Sequence, residues 1–167
     1  MGFACFVHFW GSLEEYNMSI SIKRATLDNV KEVGVLFNGY RVFYKQAHDL
    51  DLAYRFIAER LENDESVIFY ALDDNGVALG FTQLYPTFSS VAAKRSWVLN
   101  DLFVSSTSRR LGIGKKLMAT AKEFVIGSNG NGIALETAQD NVNAQGLYES
   151  LGYKKSSGVY HYFLNLA

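Results

Sequence analysis

The sequence predicts an α+β domain, and three observations carry that reading: apolar stripes at helical spacing, an Asn-Gly hairpin, and a late succession of strand, helix, strand and helix. Ile20, Ile22 and Arg24 alternate with Ser21 and Lys23 as a short strand, and Thr26 stands where an N-cap belongs. Val30, Val33, Phe37, Tyr40 and Phe43 then recur at helical spacing, as do Leu52, Phe56, Ile57 and Leu61 in a segment opening at Asp49. Both stripes are expected to face the core.

Residues 66–72 and 77–85 are β-rich runs separated by Asp73-Asp74-Asn75-Gly76, and the Asn-Gly pair favours the positive φ angles of a tight hairpin. Pro86 is expected to break the second run, with residues 87–94 a flexible connection able to shape a substrate site. A strand over 96–104 follows. A helix from about Arg110 is expected to bury Leu111, Leu117, Met118, Ala121 and Val125 before a Gly-Asn-rich run over 127–132 ends it. Residues 133–138 read as a strand, Asp140-Asn141 opens a helix through Ala144, Leu147 and Leu151 that Gly152 closes, and 159–166 reads as a last strand.

Composition narrows the function. The chain has 167 residues, 49% hydrophobic, which suits one domain with a proper core. Sixteen basic against 17 acidic residues leave a net charge of -1, so no global field draws the protein to nucleic acid or an anionic membrane. Cys5 is the only cysteine, which excludes an internal disulfide and a multi-cysteine zinc site and fits a cytoplasmic protein. His8, His48 and His161 show no metal-ligand spacing, so no metal is expected. Residues 1–17 lack a basic n-region and a cleavage site, and are expected to form an extension outside a single domain over 18–167.

The chemistry is written from Asn100 onward, where Asp101, Leu102, Phe103 and Val104 end a strand that turns through Ser105 to Ser108 into Arg109-Arg110-Leu111-Gly112-Ile113-Gly114-Lys115. Free N–H groups, the helix dipole and two glycines suit a pyrophosphate there. The run is neither a dinucleotide fingerprint, which needs glycine at Leu117, nor a P-loop, which needs glycine at Arg109 and Ser or Thr at Lys116.

The Arg-x-x-Gly-x-Gly run resembles the pyrophosphate motif of the GNAT N-acetyltransferase superfamily. Residues Asn141 to Tyr153, reading Asn-Val-Asn-Ala-Gln-Gly-Leu-Tyr-Glu-Ser-Leu-Gly-Tyr, resemble its second motif in the correct order. The resemblance implies a mixed, mostly antiparallel sheet flanked by helices, splayed between two parallel strands, with acetyl-coenzyme A wedged into the opening. It implies that Leu102, Phe103 and Val104 bond the pantetheine arm, that Arg109 to Gly114 with Lys115 cradle the pyrophosphate, and that Asn141 reaches the cofactor. It also implies that the Tyr148 hydroxyl lies near the sulfur and serves as general acid.

The base is open in the sequence. A primary amine of pKa about 10.4 is mostly protonated at neutral pH, so something should accept or relay its proton. Several members of the superfamily carry glutamate where this chain has Asn100, and an amide cannot be a base. Asp101 is favoured, with Glu136 or a water chain as alternatives. The expected function is acetyl transfer to a primary amine of a small molecule or peptide by direct attack in a ternary complex; a non-catalytic acyl-coenzyme A sensor is the alternative. An apolar run at Tyr160 to Leu164 suggests a homodimer.

Overall fold

The structure of the protein, a computed structural model, describes residues 19–166. The expected extension over 1–17 lies outside the described residues. Five strands form one sheet in the order β1-β2-β3-β4-β5: β1 (Ser21–Arg24), β2 (Val67–Leu72), β3 (Ala78–Ser89), β4 (Lys94–Val104) and β5 (Ile133–Ala134). The neighbours pair antiparallel except β4 and β5, which are parallel. Helices α1 (Val30–Phe43) and α2 (Leu50–Glu62) precede β2, α3 (Ile113–Gly127) joins β4 to β5, and α4 (Val142–Ser150) follows.

Strand alternation sorts the core into two layers. Ile68, Tyr70 and Leu72 of β2 face α1 and α2, packing with Val33, Phe37 and Ile57, while Val67, Phe69 and Ala71 face α3 with Leu117, Ala121 and Val125. Every residue of β2 is therefore buried. Phe81 is fully buried in the first layer, edge-on to Phe37 and Tyr40. Among the described residues, no helix is long and apolar enough to cross a membrane.

Local chemistry sets the element ends. Thr26 and Asn29 form a reciprocal capping box on a 3-10 turn (Leu27–Asn29) before α1, and the Asp49 carboxylate accepts from the Leu52 N–H to start α2. In the hairpin turn Asp73 Oδ1 accepts from the N–H groups of Asn75 and Val77. Gly76 has the positive φ expected of the Asn-Gly pair, whereas Asn75 does not. Helix α3 ends with Asn129 left-handed and the Gly130 N–H bonded back to the Val125 carbonyl.

Three expectations are corrected. Pro86 does not break its strand: β3 runs on to Ser89, and β4 begins at Lys94, so the expected flexible connection is a longer hairpin. The reason lies in the register. Trp97, opposite Pro86, sends its N–H to the Gly132 carbonyl on the β5 side, so the group that Pro86 lacks would point toward β2. Pairing with β2 ends at Leu84, and no bond is lost there. Second, α3 starts at Ile113 rather than Arg110, which leaves Leu111 in the preceding turn and 46% exposed. Third, no strand forms over 159–166, where Tyr160, Tyr162, Phe163 and Leu164 are exposed.

Candidate active site

The site arises where the sheet splits. Strand β5 pairs with β4 only at Trp97↔Ile133 and Val98↔Ala134, two residues instead of the six expected from 133–138. Beyond Val98, β4 continues without a strand on that side. The gap is part of a groove of about 630 Å³ whose walls are β4, the start of α3, the segment carrying Glu136 and Thr137, and α4, with Tyr40 and Phe43 of α1 and its C-cap Tyr44 also lining it. A hollow of about 500 Å³ between the β1 turn and the end of α2 gathers turn and cap residues instead.

Peptide groups of β4 point into the groove. The Ser105 N–H bonds the Leu79 carbonyl on β3, so by two-residue alternation Leu102 and Val104 turn their backbone groups to the opposite edge. The Val104 carbonyl accordingly takes a bond from Arg109 Nε at 3.4 Å. A bulge between Gln83 and Leu84 of β3 sets Asn100 as the extra residue of β4, next to this free edge.

The turn into α3 is the groove's cationic end. Gly112 is its N-cap at φ 74°, a left-handed conformation that L side chains rarely adopt. The first helical bond runs from the Lys116 N–H to the Gly112 carbonyl, which leaves the Ile113, Gly114 and Lys115 N–H groups directed at the groove. Arg109, Arg110, Gly112, Ile113, Gly114 and Lys115 all line it, and Leu111 does not. Arg109 also lies over the Phe43 ring at 5.7 Å. Free donors, a helix dipole and three cationic side chains fit a pyrophosphate.

Helix α4 forms the far wall. Asn141 lines the groove and caps the helix, its Oδ1 accepting from the Ala144 N–H at 3.3 Å. At the other end the Tyr153 N–H bonds the Tyr148 carbonyl and the Gly152 N–H the Glu149 carbonyl. Tyr153 thereby returns its ring to within 6.1 Å of the Tyr148 ring. Tyr148 is clamped between these ends and faces the groove. Burial, with a smaller contribution from Tyr44, raises its pKa, so the phenol is protonated at neutral pH.

Asp101 lies elsewhere. It is 2% exposed, behind the groove wall rather than on it. Its Oδ2 accepts from Gln83 Nε2 at 2.7 Å and its Oδ1 from Asn100 Nδ2 at 3.2 Å. Burial pushes its pKa up, against the Gln83 and Asn100 amides, which favour the ionised form. Glu136 lines the groove but is exposed and 3.3 Å from His161. The buried Gln83, with its Oε1 held by the Ser66 hydroxyl at 3.0 Å, has no counterpart among the residues the sequence singles out. The available signal was a glutamine in the interior of an apolar strand. Among the described residues, no group of three or more His, Cys, Asp or Glu is placed to hold a metal.

Comparisons with known proteins agree with this geometry. The model of the Acetyltransferase (GNAT) family matches residues 34–153. The N-acetyltransferase YhfO of Bacillus subtilis (strain 168), itself uncharacterized, is 45% identical over 147 residues, covering 88% of this chain and 98% of the relative. A probable acetyltransferase of Haemophilus influenzae is 35% identical, covering 75% of this chain and 84% of the relative. The crystal structure of a probable acetyltransferase superposes with a TM-score of 0.84 at 36% identity, covering 88% and 98% of the two chains. The aminoglycoside N-acetyltransferase AAC(6')-Iy, solved with CoA, shares the fold at a TM-score of 0.73 and 21% identity, over 88% of this chain and 95% of that one. With both motifs framing one groove and the family model spanning them, the chain belongs to the GNAT family of acetyltransferases.

Proposed function

We propose that this protein transfers the acetyl group of acetyl-coenzyme A to a primary amine of a small molecule or peptide, by direct attack in a ternary complex. The observation that carries this reading is the alignment along one groove of the open β4 edge, the free N–H groups before Lys116 and the Tyr148 phenol. In it, the peptide groups of Leu102 and Val104, beside Phe103, bond the pantetheine arm. The turn from Arg109 to Lys115 holds the pyrophosphate, and Asn141 contacts the cofactor from α4. A β4 N–H polarises the thioester carbonyl, and Tyr148 protonates the departing thiolate. The AAC(6')-Iy complex with CoA supports the donor, because that protein has the same fold.

Tyr40, Tyr44 and Asn100 mark the acceptor end. Aromatic faces backed by a buried carboxylate suit a cationic amine. The exposed Tyr160, Tyr162 and Phe163 support pairing with a second copy of the chain, which sedimentation at micromolar concentration tests; a monomeric mass contradicts it.

The test is to incubate the purified protein with acetyl-coenzyme A and a panel of alkyl diamines, aminoglycosides, amino acids and lysine-containing peptides. Release of thiol with an acetylated amine in the mass spectrum supports the proposal. Tight cofactor binding without transfer to any amine would instead identify a sensor of acyl-coenzyme A.

A further inference from the structure

Consecutive side chains of a regular strand point to opposite faces, so Asn100 and Asp101 should not meet. They do meet: Asn100 Nδ2 donates to Asp101 Oδ1 at 3.2 Å. The register gives the cause. Gln83 pairs with Asp101 and Leu84 with Leu99, so Asn100 is the extra residue of the bulge, and a bulge re-aims the side chain it carries. The result is a residue that is exposed and lines the groove, yet has one branch of its amide on a buried carboxylate.

Chemistry decides which branch meets Asp101. A carboxylate only accepts, so it takes the NH2 branch of Asn100 and repels the carbonyl branch. The carboxylate is itself held in place. Its Oδ2 accepts from Gln83 Nε2 at 2.7 Å. Gln83 is fixed in turn, its Oε1 taking a bond from the Ser66 hydroxyl at 3.0 Å and its Nε2 also donating to the Tyr85 hydroxyl at 2.9 Å. Ser66, Gln83 and Asp101 are all buried, so this chain of bonds starts in the core and ends at the groove. Among the described residues, no hydrogen bond occupies Asn100 Oδ1.

We propose that Asn100 Oδ1 binds the acceptor amine by accepting one of its N–H groups, with Asp101 and Gln83 as positioning residues that keep this oxygen available to the groove. This rests on the acetyltransferase function proposed above and deepens it: the ligand class is an alkylamine or alkylammonium with at least one N–H, in a groove that Tyr40 and Tyr44 also line. Asn100 orients the nitrogen and neither takes nor gives a proton, because an amide does neither at neutral pH. Asp101 acts through both of its oxygens. Gln83 and Asn100 use different ones, so an asparagine at 101, with a single acceptor oxygen, satisfies only one of the two amides. Gln83 is anchored in the core, which leaves Asn100 as the amide set free to turn.

The first arm of the test needs no transfer. The side-chain ¹³Cγ resonance of Asn100 is followed while the protein, with coenzyme A present, is titrated with n-butylammonium and separately with butyltrimethylammonium, which keeps the charge and the alkyl arm but has no N–H. The resonance should shift with n-butylammonium and much less with the quaternary cation. No shift with n-butylammonium, or an equal shift with both, overturns the proposal.

The second arm compares the parent with Asn100→Ala, Asp101→Asn and the double variant, using the amine of the panel with the highest kcat/KM. Asn100 is exposed, so its truncation spares the core, and urea unfolding checks that Asp101→Asn folds. Loss of one hydrogen bond to the amine should raise its KM about tenfold in Asn100→Ala, with the acetyl-coenzyme A Kd unchanged. Asp101→Asn should raise the amine KM too, and the double variant no further than Asn100→Ala, because Asp101 acts through Asn100. A parent-like amine KM in Asn100→Ala, or a double rise equal to the product of the singles, overturns the proposal. Absence of transfer by the parent, with the Asn100 shift intact, refutes the acetyltransferase reading separately.

Discussion

Valine at Gly114 probes the anion cradle with little collateral damage. Gly114 sits in the first turn of α3 without a positive φ, so an L residue fits its backbone. An added Cβ meets Leu147 Cδ2 at 3.3 Å, the movable end of a side chain, and no other atom within 4 Å. The helix gains from replacing glycine about what it loses by shifting Leu147, so stability should change by less than about 1 kcal/mol. The new methyl groups occupy the gap between α3 and α4 in front of the free N–H groups. Losing one charge-assisted hydrogen bond costs about 1.5–3 kcal/mol, or roughly a 10- to 150-fold weaker Kd. Gly112 is the poorer target: at φ 74° any L residue adds about 1–2 kcal/mol of backbone strain, which mixes stability with affinity. Calorimetric titration of Gly114→Val with acetyl-coenzyme A is the assay, paired with urea unfolding. A parent-like Kd in a folded variant would refute the placement of the pyrophosphate.

Asn141→Ala removes the α4 cap at a cost of about 1 kcal/mol, so hydrogen exchange at the Ala144 amide should quicken and Asn141→Ser should restore it; unchanged protection in the alanine variant contradicts the cap. Asp101 gives a signed prediction with pH. Its native pKa is raised, so its contribution to stability is fully present below the ordinary aspartate value and is lost as pH rises through the native one. Relative to Asp101→Asn, the parent should therefore be most stable in acid and lose that advantage toward neutral pH. A difference that grows with pH, measured by urea unfolding, has the wrong sign.

What could be read from the sequence was whatever is local or carried by a contiguous motif. Helices α1 and α2, the 3-10 turn capped by Thr26, the α2 cap at Asp49, and the hairpin at Asp73 follow from residues within a few positions of one another. The motif from Arg109 to Lys115 likewise locates the turn into α3 that lines the groove. Features set by register were not legible. Whether Pro86 ends a strand depends on where β2 stops and which way Trp97 points, which no window around residue 86 contains. Asp101 is the base the sequence favours, yet its burial follows from pairing with Gln83, 18 positions earlier in the numbering, on a neighbouring strand beside a bulge. The run over 159–166 has the composition of a strand, yet none is formed there.

In the proposed reaction the groove binds acetyl-coenzyme A and Tyr148 acts only in the chemical step. Tyr148→Phe separates the two, because it keeps the ring packed against Tyr153 and removes only the proton donor. Rapid-mixing single-turnover transfer, with calorimetry on the same sample, is the direct measurement. The expected result is an acetyl-coenzyme A Kd within about twofold of the parent, with transfer slowed by roughly ten- to a thousandfold and the smaller end favoured by coenzyme A as a good leaving group. Parent-like single-turnover transfer by the phenylalanine variant would make Tyr148 a packing residue with no part in the chemistry.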